Sequence, residues 1–155
     1  MNKTGIDIAA YSFKLLLNGL LNKEVPAIDV EELADNLHHY ILLDAREEEE
    51  FKVSHLLNAR HIGFNKMNYT CITNISTDTP IVVYCSVGKR SELITKILMD
   101  RGYKNVKNLY GGLFEWVNRG LKVYNEHNQV TQEIHTYNNF WGKWLKKGIK
   151  ITQIH

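Results

Sequence analysis

Cysteine and proline are scarce in this chain of 155 residues, which contains two of each. Cys71 and Cys85 are too few for a disulfide framework and too far apart for a C-x-x-C redox or zinc pair, so a reducing compartment is expected. No apolar run reaches the roughly 18 residues that a membrane-spanning helix needs. Asp7 and Lys14 interrupt the first apolar stretch, and no small-residue cleavage site follows it. We therefore expect a soluble, cytoplasmic protein without a membrane span.

An excess of charge of one sign is also lacking, because 19 Lys and Arg side chains oppose 17 Asp and Glu side chains, for a net charge of +2. This balance, without a long basic stripe, argues against nucleic-acid binding as the main activity. The sequence contains no G-x-G-x-x-G motif, no P-loop and no metal-ligand cluster, so we expect no cofactor and no metal. The length and the 44% of hydrophobic residues fit a single globular domain.

Two helix patterns open the chain. Apolar residues recur every three or four positions over residues 6–21, which predicts an amphipathic helix. Its polar face is not rich in lysine, so packing on the core is favoured over binding to a membrane surface. Asp29 and Glu32 have capping-box spacing, which predicts a second, short helix through Leu33 and Leu37.

Short apolar runs alternate with helical patterns in the middle of the chain. The runs predict buried strands at residues 40–43 and 81–84, and a further strand is predicted at residues 106–109. Helices are predicted over residues 46–52, 91–102 and 112–120. The helix over 46–52 contains four consecutive glutamates, which predict a solvated surface. This alternation predicts an α/β fold with a central, mostly parallel sheet and helices on both faces.

The chain divides into three predicted parts: an amino-terminal helical extension (1–27), an α/β domain (28–125) and a C-terminal aromatic and basic extension (126–155). In the last part a helix is predicted over 138–147, with tryptophans on one side and lysines among the rest. The pattern favours packing of these rings on the domain or on a partner subunit over a membrane interface. Formation of a homodimer through this tail is a further hypothesis, for which the sequence offers no separate signal.

Cys85 follows a predicted strand, at the carboxyl edge where parallel sheets gather their ligands. Gly88 permits backbone geometries that turn successive N–H groups toward one point, and the helix beginning near Ser91 directs its positive end there. Lys89 and Arg90 add positive charge. Each feature favours the thiolate, so Cys85 is predicted to be a reactive nucleophile rather than a small core residue.

Five short motifs occur in order along the chain: Leu42-Leu43-Asp44-Ala45-Arg46-Glu47, Glu50-Phe51, Ser54-His55, Cys85-Ser86-Val87-Gly88-Lys89-Arg90-Ser91, and Tyr110-Gly111-Gly112 with Trp116. Together they resemble the rhodanese family, specifically its single-domain members, over about residues 28–125. The resemblance implies a rhodanese-like α/β fold and sulfurtransferase activity. In that family a cysteine accepts the outer sulfur of thiosulfate or another donor as a persulfide, and passes it to cyanide or a thiol.

The resemblance also implies a role for each matching residue. Cys85 would be the nucleophile and sulfur carrier, and a backbone cradle would hold the transferred sulfur. The cradle residues are Ser86, Val87, Gly88, Lys89 and Arg90. Lys89 and Arg90 would also attract a small sulfur-containing anion as donor, and the acceptor would be cyanide or a thiol, with a protein thiol included. Asp44 and Arg46 would form a structural salt bridge.

Two segments depart from the family pattern. Residues 54–59 read Ser-His-Leu-Leu-Asn-Ala in place of G-H-I-P-G-A, and Gly63 stands where a proline is common. These positions shape a loop, so they affect substrate access more than sulfur transfer. His55 and His61 lack a third ligand at suitable spacing, which favours structural roles over proton transfer or metal binding.

Three alternatives to sulfur transfer remain at this point. Tyrosine phosphatases and arsenate reductases also use a cysteine in an anion-binding loop, but they need C-x5-R, and Cys85 to Arg90 is C-x4-R. The missing residue shortens the loop by up to about 3.5 Å, which suits one sulfur better than a phosphate. A non-enzymatic rhodanese-fold binding module is the second alternative, although such modules often lack the cysteine. A redox sensor with Cys71 as resolving thiol is the third, and it needs the two sulfurs within disulfide reach.

Overall fold

The computed structural model describes residues 8–22 and 24–152. Its helices are α1 (Ile8–Leu20), α2 (Val30–Asp35), α3 (Glu48–Val53), α4 (Lys89–Asp100), α5 (Gly112–Asn118) and α6 (Asn139–Gly142). Its strands are β1 (Ala27–Ile28), β2 (Ile41–Asp44), β3 (Arg60–His61), β4 (Ile81–Tyr84), β5 (Val106–Leu109), β6 (Val123–Tyr124), β7 (Val130–Thr131), β8 (Glu133–His135) and β9 (Ile149–Ile151). Two 3-10 turns lie at Leu37–His39 and Tyr69–Ile72.

A five-stranded sheet in the order β1-β5-β4-β2-β3 forms the centre of the fold, and every neighbouring pair in it is parallel. The prediction of a mostly parallel α/β sheet is confirmed. The predicted strands correspond to β2, β4 and β5, of which β2 begins one residue later than expected. Asp44 pairs with Tyr84 at the carboxyl ends of β2 and β4, so the loops that start at Ala45 and Cys85 leave the sheet side by side.

Neighbouring strand residues point to opposite faces of the sheet, which divides the core into two clusters. Val82 and Tyr84 pack in one cluster with side chains from α1, α2 and α5. Ile81 and Val83 pack in the other with side chains from α4. The prediction of helices on both faces of the sheet is therefore confirmed.

Helix α1 packs its apolar side on the core, where Phe13 and Leu17 are each only 2% exposed. Residues 6 and 7 of the predicted helix lie outside the described residues. Beyond α1, the backbone N–H of Asn22 donates to the Glu92 carboxylate of α4 at 2.8 Å. The predicted boundary after residue 27 falls inside β1, which pairs with β5. Within the described residues, no helix has the length and hydropathy needed to cross a bilayer.

Helix α2 begins as its capping pattern predicts, because the Asp29 carboxylate accepts the Glu32 N–H at 2.8 Å. The prediction that this helix continues through Leu37 is wrong. At Asn36 the backbone leaves the helical conformation, with φ −129° and ψ 25°. The Asn36 side chain donates to the Glu32 carbonyl, a local bond that competes with helix continuation.

The C-terminal segment contains much less helix than predicted. The helix expected over 138–147 is limited to the four residues of α6, and the chain then forms β9, which pairs in parallel with β8. Gly142 disfavours a longer helix. The turn after it brings Leu145, which is 1% exposed, into the core cluster that contains Val82 and Tyr84. The Trp144 ring stacks on Phe13 at 5.8 Å, so this segment packs against α1.

Candidate active site

Cys85 begins the loop after β4, and its side chain is 1% exposed. Its Sγ atom lies 3.1 Å from the N–H nitrogen of Gly88 and 3.4 Å from that of Ser91. Both groups donate toward the sulfur, and both lie at the amino-terminal end of α4, which begins at Lys89 rather than near Ser91. Donors and a helix N-terminus directed at one atom stabilise negative charge there.

The carbonyl groups of the same loop point away from the sulfur. Those of Cys85 and Ser86 accept the N–H groups of Leu113 and Phe114 of α5, at 2.8 and 3.0 Å. Gly112 makes this approach possible, because a Cβ atom there would lie 2.5 Å from the Cys85 carbonyl oxygen. The carbonyls therefore face α5, which leaves the N–H groups free to face the sulfur.

Asn108 of β5 links the loop to the sheet, and it is buried. Its amide nitrogen donates to the Gly88 carbonyl at 3.0 Å, and its amide oxygen accepts the Ser91 hydroxyl at 2.6 Å. The Ser91 Oγ atom also lies 3.3 Å from Sγ, but its one proton is directed to Asn108. The sequence reasoning missed Asn108, although an asparagine inside the predicted strand 106–109 was a usable signal, since asparagine is depleted in strands.

Arg90 joins the loop to α3 through a bidentate ion pair with Glu50. Its Nη1 and Nη2 atoms lie 2.7 and 2.8 Å from the two carboxylate oxygens, and Nη2 also donates to Ser86 Oγ at 3.1 Å. The helix containing Glu50 was predicted to be solvated, which is wrong for this residue, since Glu50 is 1% exposed. Burial raises the pKa of Glu50, but the hydrogen bond and charge of Arg90 outweigh it and hold the pKa below its ordinary value.

The capping-box spacing of Glu47 and Glu50 was the signal that could have singled out Glu50, although it does not indicate Arg90 as the partner. The Glu47 N–H donates to Glu50 Oε2 at 2.8 Å, as in a capping box, which turns Glu50 back toward the start of α3. The predicted attraction of donors by the Arg90 side chain stays a prediction, and its guanidinium group is already engaged by a carboxylate.

Asp44 and Arg46 form a second ion pair, and both side chains are fully buried. Arg46 Nη2 lies 2.7 Å from Asp44 Oδ2, and Nε lies 3.0 Å from Oδ1. Nη2 also donates to the Ser54 carbonyl at 2.6 Å. The pair therefore holds the carboxyl end of β2 against the residue that follows α3.

A cavity of about 310 Å³ opens beside Cys85. The loop contributes five of its lining residues, namely Cys85, Ser86, Val87, Lys89 and Arg90. The other lining residues are Glu47, Phe64, Asn65, Tyr137 and Trp141. The Lys89 ammonium group lies 3.9 Å from Glu92, and its side chain is about half exposed. The structure thus brings four of the five predicted cradle residues to the cavity, and Gly88 lies behind them against the sulfur.

The remaining candidates lie in other surroundings. His55 Nδ1 donates to the Phe51 carbonyl at 2.9 Å, and His61 Nε2 donates to the Arg46 carbonyl at 2.6 Å. Cys71 packs against the core cluster that contains Ile81 and Val83, and burial raises the pKa of its thiol. It does not line the cavity beside Cys85. Among the described residues there is no group of three side chains suited to hold a metal ion.

Comparison with protein families gives a match to the Rhodanese-like domain over residues 29–119. The chain belongs to the Rhodanese-like domain family. It is 32% identical over 114 residues to the adenylyltransferase and sulfurtransferase uba4 of Ogataea parapolymorpha, covering 74% of this chain and 28% of that protein. It is also 25% identical over 97 residues to the thiosulfate sulfurtransferase GlpE of Coxiella burnetii, covering 63% of this chain and 89% of that protein.

The chain spans less than a third of the length of uba4. Among solved structures, the rhodanese-like domain of Alr3790 from Anabaena superposes with a TM-score of 0.60 at 20% identity, covering 64% of this chain and 79% of that one. The human single-domain sulfurtransferase TSTD1 superposes with a TM-score of 0.53 at 22% identity, covering 59% and 95%. At these identities the structural likeness shows the fold.

Proposed function

We propose that this protein is a sulfurtransferase that carries sulfane sulfur as a persulfide on Cys85. The observation that carries the proposal is the convergence of the Gly88 and Ser91 N–H groups on Sγ, beside an open cavity at the carboxyl edge of the sheet. Such donors stabilise a thiolate before transfer and an anionic persulfide after it. The sulfurtransferase names of the relatives agree with this chemistry.

The first half-reaction takes sulfur from a small anionic donor, for which thiosulfate is the model. The Cys85 thiolate attacks the outer sulfur, the S–S bond of the donor breaks, and sulfite leaves with the bonding electron pair. The backbone of residues 86–90 surrounds the sulfur that has been transferred. Lys89 is the more exposed of the two cations at the cavity, and its 3.9 Å contact with Glu92 is looser than the 2.7 Å pair of Arg90 with Glu50, so Lys89 is the cation that attracts the donor.

The second half-reaction passes the sulfur to a thiophilic acceptor. Cyanide or a thiolate attacks the terminal sulfur of the persulfide, and the Cys85 thiolate leaves with the electron pair of the S–S bond. The products are thiocyanate or a new persulfide, and a protein thiol is included among the acceptors. Because the first product leaves before the acceptor reacts, initial-rate plots should give the parallel lines of a double-displacement mechanism.

Intact-protein mass spectrometry tests the proposal directly. Fully reduced protein incubated with thiosulfate should gain about 32 Da, and cyanide should remove the gain. Cys71→Ser is the matched control and should load normally, whereas Cys85→Ser should gain nothing. Absence of the gain in wild-type protein would refute the proposal, and hydrolysis of para-nitrophenyl phosphate would then separate a phosphatase from a binding module.

A further inference from the structure

Two aromatic side chains at the cavity come from outside the matched family region. Tyr137 and Trp141 lie in the segment between β8 and the end of α6, beyond residue 119, and both line the cavity beside Cys85. Phe64 adds a third ring at the same cavity. The loop after β4 therefore faces an aromatic wall, which is formed by Tyr137 and Trp141 of the C-terminal segment.

Two contacts hold Tyr137 in a strained backbone conformation. Its backbone has a φ of 69°, a left-handed conformation that a bulky residue adopts only when its surroundings require it. Its N–H donates to His135 Nδ1 at 3.0 Å, and burial lowers the pKa of His135, which keeps that nitrogen available as an acceptor. Its ring lies over the Arg90 guanidinium, with 5.3 Å from Cζ to the ring centroid.

The size and charge of the cavity fit an organic ligand better than an inorganic dianion. Its volume of about 310 Å³ reaches the lower end of the range of about 300 to 1,000 Å³ that pockets for organic molecules occupy. Among its lining residues, Arg90 is paired with Glu50, the Lys89 ammonium group lies 3.9 Å from the Glu92 carboxylate, and Glu47 adds a negative charge. Thiosulfate carries two negative charges and has no carbon surface to place on aromatic rings.

We propose that the Tyr137 and Trp141 wall selects a sulfur donor that carries an organic body, with a thiosulfonate as the representative class. This inference rests on the proposed function, since it names the donor of the same site. The Cys85 thiolate attacks the terminal sulfur of the thiosulfonate, the S–S bond breaks, and a sulfinate leaves with the electron pair. One negative charge remains on the Cys85 persulfide and one on the sulfinate, so the charges balance.

Benzenethiosulfonate and thiosulfate are a matched pair of probes, because a phenyl ring in the first replaces an anionic oxygen in the second. In Tyr137→Gly the ratio of kcat/KM for benzenethiosulfonate to kcat/KM for thiosulfate should fall about tenfold, the size of one aromatic contact. Glycine is the suitable replacement, because the backbone conformation at this position favours it. Tyr137→Phe keeps the ring and should keep the ratio.

Tyr11→Ala provides the control for loss of an exposed tyrosine. Tyr11 and Tyr137 are 57% and 53% exposed, but Tyr11 lies on α1 and does not line the cavity, so its replacement should leave the ratio within about twofold. Equal losses with both donors in Tyr137→Gly, or no loss with either, would overturn the inference.

A binding experiment separates failure of this inference from failure of the proposed function. Cys85→Ser protein should bind benzenethiosulfonate without reacting, and adding Tyr137→Gly should weaken that binding about tenfold. If wild-type protein gains no sulfur from either donor while this binding persists, the proposed function is wrong and the aromatic ligand site stands. If Tyr137→Gly does not change the binding, the inference is wrong even where sulfur transfer is observed.

Discussion

Two ion pairs among the described residues, Asp44–Arg46 and Glu50–Arg90, have the same chemistry and different positions in the fold. Asp44 and Arg46 are two residues apart, are fully buried, and join one end of β2 to the residue after α3. Glu50 and Arg90 are forty residues apart and join α3 to the loop that contains Cys85. The Arg90 side chain is still 20% exposed. We therefore expect the first pair to support the fold and the second to set the position of the loop.

The largest effect should follow from breaking the fully buried pair. Arg46→Ala leaves the Asp44 carboxylate without its partner in the core, which should lower the free energy of unfolding by about 3 to 5 kcal/mol. Urea unfolding followed by circular dichroism measures this loss. The double variant Asp44→Asn/Arg46→Met should recover part of it, because no unpaired charge remains.

An exposed pair is the control for the loss in Arg46→Ala. Lys104 and Asp78 lie 3.7 Å apart with side chains about three-quarters exposed, and Lys104→Ala should change stability by less than about 1 kcal/mol. An Arg46→Ala loss no larger than that of Lys104→Ala would remove the distinction between buried and surface pairs.

A smaller loss of stability with a clear loss of activity should follow from Glu50→Gln. Unfolding should become easier by about 1 to 3 kcal/mol, because Arg90 loses its charged partner but can still reach water. Sulfur loading of Cys85 from thiosulfate should slow about tenfold, since the loop loses its anchor on α3. Glu49→Gln is the matched control, as Glu49 is exposed one position earlier. Equal rates in the two variants would show that the pair does not position the loop.

The smallest effect is expected in the pH dependence of stability below about pH 5. The pKa of Glu50 is lowered from its ordinary value of 4.5, so its carboxylate stabilises the folded protein above that pH. The stabilisation is lost as the pH falls through the lowered folded-state pKa. The difference in unfolding free energy between wild type and Glu50→Gln should therefore be constant from pH 7 to about 5 and shrink in stronger acid. A difference that grows on acidification would contradict the assigned direction.

The predicted features are those that short stretches of sequence determine. Strands β2 and β4 follow from apolar runs, and the N–H groups directed at Cys85 come from one continuous segment with a glycine and a helix start. Glu50 and Asn108 carry local signals, in the capping-box spacing with Glu47 and in a polar position within a strand. Their partners could not be assigned, because the partners depend on which elements are neighbours in the fold. Tyr137 and Trp141 reach the cavity through packing of the C-terminal segment, which its aromatic pattern alone does not direct.

The order of strands in the sheet has a consequence for how this protein is made. β1 pairs with β5, whose residues come about eighty positions later, and β4 is the central strand. Parallel pairs so distant in sequence form slowly, since a long loop must close before any contact repays its entropy. During synthesis, β1 therefore cannot pair until β5 has been made. We expect the Cys85 side chain to become buried late, together with the sheet whose edge it follows.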